Sequence, residues 1–353
     1  MAYTTINKST DYFTPHIWSG TNSNHTESIG MQPDLVWVKG RNNSTDHTLF
    51  DAVRGPFGNG NSLSSNTTAA EGGSNTTAYG GISGVTSDGF TVTAGSSNAD
   101  YVNTSGRTYA SWNWKANGAG SANTDGSISS TVSVNTTSGF SIVKYTGTGS
   151  TATVGHGLGA VPDMMIIKKY SGAGTQWTIY HKSLGNTKHI LFTTGSETTQ
   201  ANYWNDTSPT SSVWTMGNQS EINGSGATNI CYAFAEKQGF SKFGSYIGNG
   251  STDGTFVYTG FKPAYVTLKR SSNNSDWHHF DNKRAGFNGD NDYLKLNGSD
   301  SEGTSGDRID FLSNGFKLRY ATGNLNETGD TFIYNAFAEA PLVGTNGVTA
   351  KAR

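Results

Sequence analysis

Short apolar runs and alternations of period two fill this chain, and the most regular of them come in sets of three. One set follows a proline and runs apolar: Leu35-Val36-Trp37-Val38, Met164-Met165-Ile166-Ile167 and Tyr265-Val266-Thr267-Leu268. Runs of that length suit strands covered on both faces. A second set starts at Gly-x-Thr and reaches an aromatic eight residues after the glycine, at Trp114, Phe234 and Phe337. Split by parity, it sets Ala110, Trp112 and Trp114 against Tyr109, Ser111 and Asn113, and Ile230, Tyr232 and Phe234 against Asn229, Cys231 and Ala233. The heavier parity is expected to point into the core of a sandwich.

A fixed phrase ties the sets together. Gly30, Gly159 and Gly260 each stand three residues before a proline (Pro33, Pro162, Pro263), and Lys39, Lys168 and Lys269 each stand six after it. Upstream of each lies an aromatic-x-Gly step, at Gly20, Gly147 and Gly248, which reads as a strand end where glycine frees the backbone to turn. An aromatic-polar pair comes later, Phe50-Asp51, Tyr180-His181 and Phe280-Asp281, with His47, Trp177 and Trp277 three places before the aromatic. Internal self-similarity of this kind is the mark of repeated supersecondary units. The expected fold is all-β: three tandem antiparallel β-sandwich modules, jelly-roll or lectin-like, with almost no helix. They are placed at 1–118, 140–239 and 240–353, and the Gly/Ser/Thr/Asn-rich stretch 119–139 reads either as a linker or as an edge strand.

Composition narrows the function. Only 14% of the residues are charged, against roughly 25% in ordinary domains, and the net charge is −2. The 24 Lys and Arg are spread out, so nucleic acid is not an expected partner. No segment approaches the length of a membrane span, and Met1-Ala-Tyr-Thr-Thr-Ile-Asn7 lacks the basic and apolar regions of a signal peptide. A soluble cytoplasmic product without membrane insertion is expected. The single cysteine, Cys231, reads as a buried core residue.

Candidate chemistry is sparse. Asn288, Asp290 and Asp292 alternate near Asp281 and offer hard oxygens to calcium, but polar alternation in an exposed loop explains them as well. His278 and His279 point to opposite faces of a strand and lack a second ligand pair for zinc. Glu236 and Glu339 end equivalent strands, which points to a structural role, and Asp51 and Asp281 read as caps of backbone donors. No catalytic residue, metal site or cofactor is therefore assigned. Lys39, Lys168 and Lys269 are candidates for a common contact surface, against the plainer reading of solvent-facing residues that guard a strand edge. Tyr203 and Trp204, beside Asp206, are candidates for stacking on a sugar, against a plain core role.

The repeated phrases, with Ser-Ile-Val-Lys-Tyr-Thr-Gly-Thr-Gly from Ser141 and Phe-Ser-Lys-Phe-Gly-Ser-Tyr-Ile-Gly-Asn-Gly from Phe240, resemble an uncharacterised module of marine tailed-phage virion proteins labelled tail-fibre-like. The first copy departs from it, reading Trp112-Asn-Trp114-Lys115 where the others end in Ala-Phe-Ala-Glu. The resemblance implies a non-enzymatic protein of the virion exterior, a tail-fibre or tail-tip component in host recognition. Other virion proteins, a host surface glycan or receptor, and a homo-oligomer are the partners it implies. The rival expectations are a capsid decoration or head-fibre protein and, more remotely, a polysaccharide depolymerase.

Overall fold

The computed structural model describes all residues except 1–2, 59, 73–75, 97–100, 173, 285–287, 345–346, 348 and 350–353. It is almost wholly β, and the helices among the described residues are single turns. Three large antiparallel sheets carry the chain. The first has the strand order Phe13–Ser19, Thr108–Trp114, Leu35–Gly40, Thr48–Asp51. In the third, Ser241–Ile247, Thr331–Pro341, Phe261–Arg270, His278–Asp281 and Leu294–Lys295 follow in that order. The second sheet has the corresponding strands Phe140–Thr146, Thr228–Phe234, Met164–Lys169, Thr178–His181 and Lys188–Leu191, and is longer at both ends. One extension is made by Ser121–Asn123 and Ser130–Asn135, so the Gly/Ser/Thr/Asn-rich stretch contributes strands.

Register repeats with the strand order. The residue two after each motif proline lies opposite the closing aromatic: Leu35 opposite Trp114, Met164 opposite Phe234, Tyr265 opposite Phe337. Pro33 and Pro162 sit in the loop before their strands, as a residue without an N–H favours. Pro263 departs from them: it lies inside Phe261–Arg270, where register shifts on both sides of it make a bulge. The motif glycines Gly30, Gly159 and Gly260 have φ of +82°, +65° and +81°, so any side chain there is strained. Gly20, Gly147 and Gly248 are needed for a different reason than the turn expected of them. A Cβ at these positions would come within 2.2, 2.5 and 2.1 Å of the carbonyl oxygens of Thr104, Gly224 and Glu327.

Each large sheet is covered on one face by a small sheet of its own. These are His25–Ser28 with Gly89–Thr93 and Gly81–Thr86; Ala152–Gly155 with Val213–Met216; and Phe256–Tyr258 with Gly315–Leu318 and Ile309–Leu312. Val36, Val38, Phe90 and Tyr109 fill the first gap, Val143, Ile167, Trp214 and Cys231 the second, Val266, Leu268, Phe316 and Phe332 the third. The heavier parity of the closing strands does not face these gaps. Trp112, Trp114, Tyr232, Phe234, Ile333 and Phe337 belong to one continuous core that the three large sheets share. In it the closing aromatics meet: ring centroids are 6.1 Å apart for Trp114 and Phe234, and 5.7 Å for each of the other two pairs.

A shared core makes the sheets unfold together. Trp114→Ala, Phe234→Ala and Phe337→Ala should each cost about 3–5 kcal/mol in chemical denaturation, and a double mutant should differ from the sum of its singles. The wild-type chain should unfold in one transition. Three resolved transitions with additive mutants would show three independent sandwiches instead.

Candidate functional site

The chemistry-bearing residues gather at three seams where one unit meets the next. Residues 47, 177 and 277, which precede the fourth strand of each large sheet, donate in the same way. Trp177 Nε1 donates to Ser64 O at 2.7 Å, Trp277 Nε1 to Leu191 O at 2.9 Å, and His47 Nε2 to Lys295 O at 3.0 Å. The second unit thus binds the first, the third binds the second, and the first binds the third. The ring is closed.

Asp51 and Asp281 lie at two of these seams, buried. Asp51 Oδ1 accepts from the backbone of Val53 and Arg54, and Asp281 Oδ1 from Lys283 and Arg284, so both cap turns. Their other oxygens reach across the seam: Tyr232 Oη donates to Asp51 Oδ2 at 2.8 Å, and Trp112 Nε1 to Asp281 Oδ2 at 3.0 Å. Each is also paired with a fully buried arginine, Arg54 Nε at 2.5 Å and Arg284 Nε at 2.7 Å, which Glu71 and Glu302 hold from the other side. Burial alone would raise the Asp281 carboxyl, but the Arg284 guanidinium, His279 and the Trp112 donor hold it far below the usual range. These arginines were missed in the sequence, although Asp-x-x-Arg recurs at 51–54 and 281–284. The second unit has His181-Lys-Ser-Leu184 there, and His181 Nε2 donates to Tyr334 O at 3.1 Å.

The three lysines do not guard edges; all are fully buried. Their Nζ atoms donate to loop carbonyls: Lys39 to Gly40 O, Lys168 to Thr175 O, Lys269 to Ser275 O and across a seam to Thr194 O. Burial lowers each to about 8. Their aliphatic stems lie beneath the loops that each closes, which apolar periodicity could not reveal. Tyr203 and Trp204 are also buried, so neither offers a face to a sugar. His189 stacks on Tyr203 at 3.6 Å, and Trp204 Nε1 donates to Lys188 O. Asp206 is exposed beside them and accepts from Asn186 through its backbone carbonyl.

The carboxylates at the ends of the closing strands are engaged as well. Glu236 is held by Lys182 and Lys242, and Glu339 by Lys262 and Asn282. At the calcium candidate, Asn288 Oδ1 accepts from Phe311 N and Asp292 faces Arg41 at 3.5 Å. The open depression beside it, about 690 Å³, contains Asp307 and Asp310, which take up the Asp290 N–H and the Arg319 guanidinium. Among the described residues no group of three or more His, Cys, Asp and Glu is placed to hold a metal ion. Cys231 is free and buried, and among the described residues no helix is long and apolar enough to cross a membrane.

A family described as a domain of unknown function (DUF7483) matches residues 8–341. The chain belongs to that family. The match runs across all three large sheets, so the family extends over the whole closed ring. No curated protein and no solved structure matches the chain.

Buried histidines and lysines, some of them at the seams, set the response to pH. His47 Nδ1 accepts from Trp37 Nε1 and His181 Nδ1 accepts from the Ser183 N–H, so each ring is fixed in the neutral form that donates through Nε2. Burial lowers six of the eight histidines, His181, His189, His278 and His279 to about 4. Between pH 6.5 and 4 the unfolded chain binds protons that the folded chain does not, so stability should fall steadily over that window. For the lysines the unfolded chain is the better proton binder from about pH 8 upward, and stability should rise from pH 8 to 9. Urea denaturation across both windows checks the signs; Lys168→Met should shrink the alkaline slope.

Asp281→Asn leaves the Arg284 guanidinium buried with less compensation, at a cost of about 3–5 kcal/mol. Asp206→Asn, on the surface, should stay within about 0.5 kcal/mol of wild type. Equal effects in thermal unfolding would contradict the seam assignment.

Proposed function

We propose that this protein is a non-enzymatic component of the exterior of a tailed-phage particle, a tail-fibre or tail-tip part that contributes to host recognition. One observation carries the non-enzymatic half of this reading. The carboxylates and histidines available for acid-base chemistry at the seams are engaged in holding the ring shut, through Asp51, His181 and Asp281 above all. General acid-base catalysis needs a titratable group free to exchange a proton with a substrate in a cleft, and these are buried and saturated with protein partners. A body closed on itself with a continuous aromatic core suits a mechanical part, since rigidity comes from packing with no disulfide.

The virion half rests on the resemblance of the repeated phrases and on a low-charge, Gly/Ser/Thr/Asn-rich composition that suits adhesion without unspecific charge capture. The test has two arms: locating the protein in a density map of the intact particle, and incubating the purified chain with host cells and with extracted surface polysaccharide. Signal at the tail with cell binding and unchanged polysaccharide length is the expected result. Shortened polysaccharide would overturn the reading in favour of a depolymerase. Signal over the shell without cell binding would overturn it in favour of a capsid decoration or head-fibre protein.

A further inference from the structure

The three small sheets each have a corresponding edge strand, and the chain treats the three edges differently. Register aligns them: Glu27, Val154 and Val257 lie opposite Phe90, Trp214 and Phe316. In the third sheet Thr255 O accepts from Leu318 N and Thr259 N donates to Asn314 O. Antiparallel alternation therefore turns the N–H and C=O of Phe256 and Tyr258 outward, away from the sheet. The corresponding outward residues are Thr153 and Gly155 in the second sheet and Thr26 and Ser28 in the first.

In the second sheet those outward groups are already taken by the chain itself. Ile128 N donates to Thr153 O at 3.0 Å, Thr153 N donates to Ser127 Oγ at 2.9 Å, and Ser130 Oγ donates to Gly155 O at 3.0 Å. Ile128 pairs with Val154 in the parallel sense and packs into the core of that sandwich. In the first sheet the edge is guarded by a charge: Glu27 points inward between His16 and His25, at 2.8 and 2.9 Å. An inward-pointing charge is one of the ways natural sheets discourage added strands.

The third edge has neither device. Val257 replaces the carboxylate, no segment among the described residues pairs with the backbone of this edge, and two aromatic rings are largely exposed, Phe256 at 45% and Tyr258 at 52%. Tyr3 touches only the far end: its hydroxyl donates to Gly260 O and is hydrogen-bonded to the Tyr258 hydroxyl, which leaves the Phe256 end of the strand open. We propose that Phe256–Tyr258 is a docking edge for an extended, uncharged segment of a partner polypeptide, added as a parallel strand with an apolar residue between small hydroxyl residues. The second sheet supplies the template for that occupant in Ser127-Ile128-Ser129-Ser130. A strand of three residues is too short to bury the roughly 800 Å² per partner of a stable globular dimer. An extended segment needs less, because main-chain hydrogen bonds give affinity and alternate side chains give specificity.

The probe is a synthetic peptide reproducing residues 126–133 with blocked ends, added to the full-length protein while amide exchange is followed residue by residue. Exchange at Phe256 and Tyr258 should slow about tenfold or more at saturation. The same peptide carrying lysine in place of Ile128 should have no effect. Phe256→Lys, an exposed change that removes no hydrogen bond, should abolish the slowing while thermal unfolding stays as in wild type. No slowing at about 1 mM peptide would overturn the proposal. So would slowing confined to Thr153, which would mean that the peptide only displaces the chain's own segment. Protection of Phe256 and Tyr258 without peptide, rising together with dimer in sedimentation, would overturn it in favour of a second copy on this edge.

Discussion

Three aromatic rings from three distant parts of the chain, Trp114, Phe234 and Phe337, must meet at one place, and the architecture follows from that contact. Each ring is carried on a closing strand whose other face packs on a small sheet, so both faces of every large sheet are covered. A head-to-tail contact repeated between like units yields an open filament unless the rotation closes. Here it closes after three, inside a single chain, because the first unit's His47 finds the third unit's Lys295 carbonyl just as Trp177 and Trp277 find theirs.

The seams share a pattern and differ in chemistry. Two hold a buried aspartate-arginine pair and the third a neutral histidine, so the contacts are not interchangeable. Buried charge is a costly way to hold two surfaces together, and its desolvation is offset only where every remaining lone pair and proton has a partner. Asp51 and Asp281 meet that condition through turn caps, arginine and a cross-seam donor at once. The buried lysines follow the same logic with backbone carbonyls in place of carboxylates.

The titratable side chains at the seams are committed to holding the units together, which fits the mechanical and adhesive role proposed above. The edge strands of the small sheets add a second, separate theme. One edge is covered by the chain, one is guarded by Glu27, and one stands open under Phe256 and Tyr258.

Period-two alternation and the recurrence of glycine, proline and aromatic positions determined the all-β class, because both express local backbone geometry that a sequence carries on its face. The capping of turns by Asp51 and Asp281 was equally legible, since an Asx turn is closed by neighbours in sequence. Where the heavy face of each closing strand points was not. Parity says only that Trp112 and Trp114 share a face, and it took the tertiary structure to direct that face at the other two units instead of at its own small sheet. Lys39, Lys168 and Lys269 looked like edge guards because charge at the end of an apolar run usually means solvent, and for Tyr203 and Trp204, which sit among polar residues, a core role and sugar stacking both stood open. All five are buried by segments remote in sequence or by loops whose path no periodicity encodes. Burial is a property of what arrives from elsewhere in the chain, and only the closed ring decided it.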